Sequence, residues 1–260
     1  MKAVFNQQTT VEQWDVDYYH PIAIKYYDWA VTDMLRIMDV PPGATVLDAG
    51  CGPGVHSIRV AKAGYQVQGI DISETMLNHA KHRIADSNLS DRVNLQPMDL
   101  TQLSFANHSF GYVFSWGVII HIPAVEKALD ELARIVKPGG KLALYLTNRD
   151  AFDHKIENMA RFMLSKPLSP IVRSQLGDGY CYRMNHEDLW LWRFDGDSIV
   201  NYLAERGLRL YYRGIGELSE IQRRLDGFPR RLLLRLNNFA YRWRFPANIA
   251  TTNLFVFEKK

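Results

Sequence analysis

The sequence predicts an α/β domain, a doubly wound and mostly parallel sheet carrying a helical cap and insertions. Three observations lead there. Short apolar runs alternate with helix-period segments through residues 41–149. A glycine-rich turn, Gly50-Cys51-Gly52-Pro53-Gly54, follows the first run directly. Acids fall in step with the runs: Asp48 in the first, Asp71 closing the second, Asp99 after the third.

Residues 1–40 read as an N-terminal cap, aromatic and polar, with Trp14, Tyr18, Tyr19, Tyr26, Tyr27 and Trp29. Ala30, Met34, Leu35 and Met38 recur at helical spacing, and Pro41-Pro42-Gly43 breaks the chain. Residues 41–149 form the core. ATVLDAG reads as a buried strand, VHSIRVAKAG as a helix ending at Gly64, and YQVQGIDIS as a second strand. Ser73 is placed to cap the next helix. RVNLQPMDL is a third strand and FGYVFSWGVIIHI a fourth, longer than its hydrogen-bonded part. Helix 124–136 puts Val125, Ala128, Leu129, Leu132 and Ile135 on one face, KPGG is expected to stop it, and KLALYLTN is a fifth strand. The alternation fails over residues 150–195, which read as an insertion on the substrate side. Residues 196–260 complete the core, with GDSIVNYLAERG as a helix, LRLYYRGIGEL and TTNLFVFEKK as strands, and a second insertion at 219–248.

Composition narrows the function. The chain is 47% hydrophobic and 23% charged, values of a globular protein and not of a disordered, collagenous or disulfide-built one. With 31 Lys+Arg against 28 Asp+Glu the formal charge is only +3, which argues against a globally polybasic nucleic-acid binder. Cys51 and Cys181 stand alone, giving no metal-ligand spacing and suggesting free thiols. The first twenty residues lack a signal-peptide core, and no uncharged run approaches the ~18 residues of a membrane-spanning helix. A cytoplasmic location is the expectation.

In parallel sheets a ligand sits beyond the carboxyl ends of the strands. The glycines let the backbone turn sharply and approach that ligand, and the following helix start offers free amides. A carboxylate at Asp71, about 20 residues beyond the glycine turn, can accept both hydroxyls of a ribose. Asp99 can accept from an exocyclic amine of adenine. A nicotinamide dinucleotide site would need a third glycine or alanine where Val55 stands, and Asp48 would face a pyrophosphate. A nucleoside-triphosphate loop would need a G-K-[ST] ending, which is absent. An adenosyl ligand with an amino-acid end and a positive charge fits better.

VLDAGCGPG, GIDIS, QPMDL, the SWGVIIHI stretch and the KPGGKLAL turn resemble the successive motifs of class I S-adenosylmethionine-dependent methyltransferases. The likeness covers roughly residues 40–150 and specifies cofactor and fold, not substrate. It implies a seven-stranded sheet whose last strand runs antiparallel. It implies S-adenosyl-L-methionine as cofactor and S-adenosyl-L-homocysteine as product. It places the methionine part in the loop carrying Asp48, Gly50, Gly52 and Gly54, the ribose at Asp71 beside Ile72 and Met76, the adenine between Asp99 and Leu100, and Ser115 and Trp116 near the sulfur. The expected activity is methyl transfer to oxygen or nitrogen of a small molecule, with carbon less favoured and nucleic acid not expected. The alternatives are methylation of a lipid-linked or anionic substrate at a membrane surface, and a non-catalytic binder of the same cofactor.

His121, after the fourth strand, is the first candidate for a general base, set against a role in contacting cofactor or packing. His186, followed by Glu187 and Asp188 in the insertion, is the second, set against a solvated acidic loop. His154 reads as surface. Tyr18, Tyr19, Tyr182 and Trp190 are candidates to wall the substrate site.

From Arg223 through Arg244 the chain has seven arginines and a single acid, Asp226. Leu225, Phe228, Leu232, Leu236, Phe239 and Trp243 are spaced by three or four, with Arg231, Arg235 and Arg242 on the neighbouring stripe. This is a basic amphipathic helix. The expectation is a lid whose apolar stripe packs on the domain. The alternatives are contact with an anionic membrane and attraction of an anionic substrate.

Overall fold

The computed structural model describes residues 5–6, 18–165, 171–184 and 187–260, the side chains of 182–184 and 187 excepted. Helix α1 spans Pro21–Ile37. The ring of His20 accepts the amide of Ile22, and Pro21 stands where no donor is needed. Then follow β1 (Thr45–Ala49), α2 (Val55–Lys62), β2 (Gln66–Asp71), α3 (Glu74–Asp86), β3 (Val93–Pro97), β4 (Phe110–Trp116), α4 (Val125–Ile135) and β5 (Val136–Thr147). Ser73 caps α3 by accepting the amide of Met76 at 3.2 Å.

The main sheet has seven strands in the order β3-β2-β1-β4-β5-β10-β9, with β9 at Leu208–Ile215 and β10 at Thr252–Lys259. β1 to β5 pair in parallel, and β10 runs antiparallel to both β5 and β9. Two apolar cores cover its faces. One joins α1, α2, α3 and part of α7 (Gly227–Arg242). The other joins α4 and α6 (Gly196–Ala204). Sheet order changes direction between β1 and β4, so their carboxyl ends diverge there and leave a crevice.

Three details differ from the expectations. Helix α4 ends at Ile135, before KPGG; Lys137–Gly140 already run as the start of β5, which shifts register opposite Phe110 and Tyr112. Within 150–195 the described residues form α5 (Phe152–Met163) and a three-stranded antiparallel sheet of β6 (Val172–Ser174), β7 (Gly177–Met184) and β8 (Glu187–Phe194). His154 is buried, because its ring nitrogen Nδ1 bonds the carbonyl of Asn148 at 2.9 Å. Helix α7 is not a lid packed by its apolar stripe; it packs by the neighbouring one. Phe228, Leu232, Leu236, Phe239 and Trp243 are exposed, and Leu234, Asn237, Ala240 and Tyr241 are buried. Polar anchors choose this face: Asn237 exchanges two hydrogen bonds with the backbone of Ser219, and the Tyr241 hydroxyl donates to Asp33.

Candidate active site

The turn after β1 is held from below. The amides of Gly50 and Cys51 both donate to the carbonyl of Ile70 at 2.8 Å, which locks the turn to the end of β2. Gly50 has φ +88°, and a side chain there would meet Val118 at 2.4 Å. Gly54, with φ +79°, would likewise press on Ala80 at 3.0 Å. The loop is therefore fixed by sterics as well as by hydrogen bonds.

Above it lies a cavity of about 370 Å³, within the range of small-molecule sites (about 300–1,000 Å³). One half is bordered by Gly50, Gly52, Asp71, Asp99 and Leu100. Asp71 is the hub. Its Oδ2 accepts the amide of Gly52 and its Oδ1 the amide of Ser73, each at 2.9 Å. Those two bonds leave acceptor positions on both oxygens for hydroxyl groups. Burial raises the pKa of this carboxyl despite the amides of Ser73 and Gly52. Asp99 uses Oδ1 to accept from Thr101, while Ile72, Met76, Met98 and Leu100 supply apolar walls. This half has two carboxylates and, among the described lining residues, no Lys or Arg. It suits a neutral nucleoside attached to a cation and opposes a polyphosphate.

The other half is bordered by Tyr18, Tyr27, His56, Trp116, Tyr145, Glu217 and Arg223. The Trp116 and Tyr145 rings stack at 4.2 Å. The Tyr145 hydroxyl meets Tyr26 at 2.8 Å and Thr252 at 2.6 Å, and receives the amide of Glu217 at 3.1 Å. Arg223 bridges Glu217 and Glu220, each at 3.0 Å. Burial works against its charge, but Glu220 and Glu217 more than offset that and raise its pKa.

Two histidines border the cavity. His121 contacts the carbonyl of Trp190 through Nδ1 at 3.0 Å. Burial lowers its pKa to about 4, against the Trp190 carbonyl and with help from Arg223. It is therefore neutral near pH 7, with the proton on Nδ1 and a lone pair on Nε2. His56, the second residue of α2, is 8% exposed, and among the described residues neither ring nitrogen has a hydrogen-bond partner. Burial, aided by Arg59, drives its pKa well below the usual histidine value.

The structure gathers His121, Gly50, Gly52, Asp71, Ile72, Met76, Asp99, Leu100, Trp116 and Tyr18 around the cavity. Asp48, Gly54 and Ser115 are not among its lining. Asp48 accepts from Ser57 Oγ at 2.6 Å, and burial pushes its pKa up to about 7. Ser115 donates to the carbonyl of Ala49 at 2.8 Å, so it braces β4 against β1. Tyr19 lies outside under Arg83, and Trp190 packs edge-on against Trp192 while offering His121 its carbonyl. His186 and the side chain of Tyr182 lie outside the described residues. Sequence reasoning passed over His56, Tyr145 and Glu217 and read Arg223 only as part of the basic segment; among the first three, the position of His56, directly after the glycine turn, offered a signal.

This fold, with a glycine turn and an acid after β2 facing one crevice, is that of the class I S-adenosylmethionine-dependent methyltransferases, and the chain carries their domain. Residues 46–140 match the family described as "Methyltransferase domain". Similar curated proteins include "Methyltransferase GfsG" of Streptomyces halstedii, 36% identical over 108 residues, covering 41% of this chain and 39% of that one. "Phosphoethanolamine N-methyltransferase 2" of Caenorhabditis elegans is 35% identical over 144 residues, covering 53% of this chain and 33% of that one. The chain spans half or less of the length of these relatives. Among solved structures, magnesium protoporphyrin IX methyltransferase (ChlM) of Synechocystis PCC 6803 with bound SAH superposes with a TM-score of 0.67. It is 16% identical, and the match covers 100% of this chain and 98% of that one, a likeness of fold.

Proposed function

We propose that the protein transfers a methyl group from S-adenosylmethionine to the hydroxyl or amine of a small molecule with an apolar body. The observation that carries this reading is the division of one cavity into unlike halves. Asp71, Asp99 and the glycine turn would hold the cofactor, Asp71 taking the ribose. When bound there, the cofactor supplies an electrophilic methyl on a sulfonium that leaves as a neutral thioether. The protein's task is then chiefly to align the acceptor, which supplies much of the acceleration in such reactions. Trp116, Tyr27 and Tyr18 offer ring faces for the acceptor's body. His56, buried and uncharged with two unsatisfied nitrogens, is equipped to hold its hydroxyl or amine. His121 keeps a lone pair ready to accept a proton.

Incubation with methyl-labelled S-adenosylmethionine and a small-molecule extract is expected to move label into a low-mass product. Tight cofactor binding without any transfer would instead identify a non-catalytic binder. For His56→Phe, KM for the acceptor is expected to rise at least about tenfold, from loss of a buried hydrogen bond. Cofactor affinity should hold within about twofold, and an unchanged acceptor KM would contradict the assignment.

His121→Asn can keep the bond to Trp190 and removes Nε2. It is expected to lower kcat about a hundredfold if Nε2 takes the proton. Because the wild-type ring is already neutral, kcat/KM should show no histidine limb between about pH 6 and about pH 8. A limb near pH 6.5 that disappears in the variant would contradict the depressed pKa.

A further inference from the structure

We propose that the face formed by α5, the turn at Ile221–Arg224 and α7 docks on an anionic lipid bilayer. Helix α5 exposes Phe152, Ile156, Met159 and Met163 along one stripe, with Phe162 beside it at 86% exposure. Helix α7 exposes Phe228, Leu232, Leu236, Phe239 and Trp243, the last at 71%. Isolated apolar residues on a surface are ordinary, but two complete helix stripes are not.

The stripes belong to one stretch of structure. The amide of Glu220 donates to Asp153 of α5 at 3.3 Å, and Arg224 bonds Glu157 of α5 at 3.1 Å. Ile221, in the turn between these ties, is itself exposed, and α7 begins three residues beyond the turn.

Charge selects the occupant. Arg231, Arg235 and Arg242 are exposed alongside the α7 stripe, and Lys155 is exposed on α5. A second copy of the chain, meeting this face with the same face, would bring two arginine-bearing surfaces together. A bilayer with anionic headgroups accepts both features, taking rings and leucines at the headgroup boundary while phosphates meet the guanidinium groups. Among the described residues no helix is long and apolar enough to cross a membrane, so the contact is one of lying on the surface. The same turn lines the cavity through Glu220 and Arg223, which sets the acceptor half next to the docking face. Docking itself does not depend on the methyl-transfer reading.

The test is co-sedimentation of the intact protein with vesicles of phosphatidylcholine alone and of phosphatidylcholine mixed with phosphatidylglycerol. Binding is expected only to the anionic vesicles and should weaken as salt is added. Phe228→Ala/Leu232→Ala/Trp243→Ala and Arg231→Glu/Arg235→Glu should each weaken it at least about tenfold. Their thermal unfolding should stay close to wild type, since every altered side chain is exposed. Failure to bind anionic vesicles, or equal binding to both compositions, overturns the proposal. So does a wild-type dimer that the same variants dissolve without any vesicle binding, which would assign the face to a second copy.

Discussion

Asp71→Ala is expected to weaken S-adenosylmethionine binding at least about a hundredfold, because charge-assisted hydrogen bonds contribute roughly 1.5–3 kcal/mol each and a ribose presents two hydroxyls. The same change removes the acceptor of the Gly52 and Ser73 amides, so the glycine turn loosens as well. Asp71→Asn separates these effects. It keeps the shape and one accepting oxygen, so the fold should persist while affinity still falls. Isothermal calorimetry on both variants reads the difference, and Asp71→Asn binding within about threefold of wild type would contradict the role. Burial has raised the pKa of this carboxyl, so it takes up a proton at a higher pH than an ordinary aspartate. Cofactor affinity should accordingly weaken on acidification sooner than an exposed aspartate would allow.

The parts of the molecule legible in the sequence are those whose cause is local. A buried strand, a glycine turn and an amphipathic helix each declare themselves within ten residues, and repetition implies the parallel sheet. Asp71 and Asp99 were placed by the same logic, since each ends or follows a strand. Asp48 shows where local logic stops. Its position in β1 is plain, but its partner is Ser57, a turn of helix later, and that pairing directs the carboxylate to the helix and not to the cavity. The acceptor half was harder still. Tyr27, His56, Tyr145 and Thr252 come from four separate elements and Glu217 from the loop after β9, and β10, inserted between β5 and β9, brings the last two beside Tyr145. For α7 the pattern of apolar spacing offered one stripe, whereas Asn237 and Tyr241, polar and unremarked, selected the neighbouring one. Hydrophobic periodicity reports which residues share a face; it does not report which face finds a partner.

Glu157→Gln is expected to destabilise the protein by about 3 kcal/mol near neutral pH, the order seen when one partner of a buried ion pair is removed. Glu157 on α5 is only 16% exposed and bonds Arg193, Arg161 and Arg224. Arg193 of β8, 6% exposed, dominates the loss, because solvent screens Arg224 and in part Arg161. Burial alone would raise the pKa of Glu157, but Arg161, Arg224 and Arg193 outweigh it and hold the carboxyl down to about 2. The sign follows from that direction. A carboxyl depressed in the folded state contributes stability that is complete above its unfolded pKa of about 4.5 and fades as pH falls toward about 2. Denaturant unfolding should therefore show a wild-type advantage that is largest near pH 7 and shrinks below about pH 4.5. An advantage that ignores pH, or none at all, would mean that solvent already neutralises the cluster. The consequence reaches the cavity, since Arg224 ties α5 to the turn that carries Glu220 and Arg223. Loss of that tie should raise the acceptor's KM while leaving cofactor affinity unchanged, because Asp71 and the glycine turn are held by bonds of their own, Asp71 by the amides of Gly52 and Ser73 and the turn by the carbonyl of Ile70.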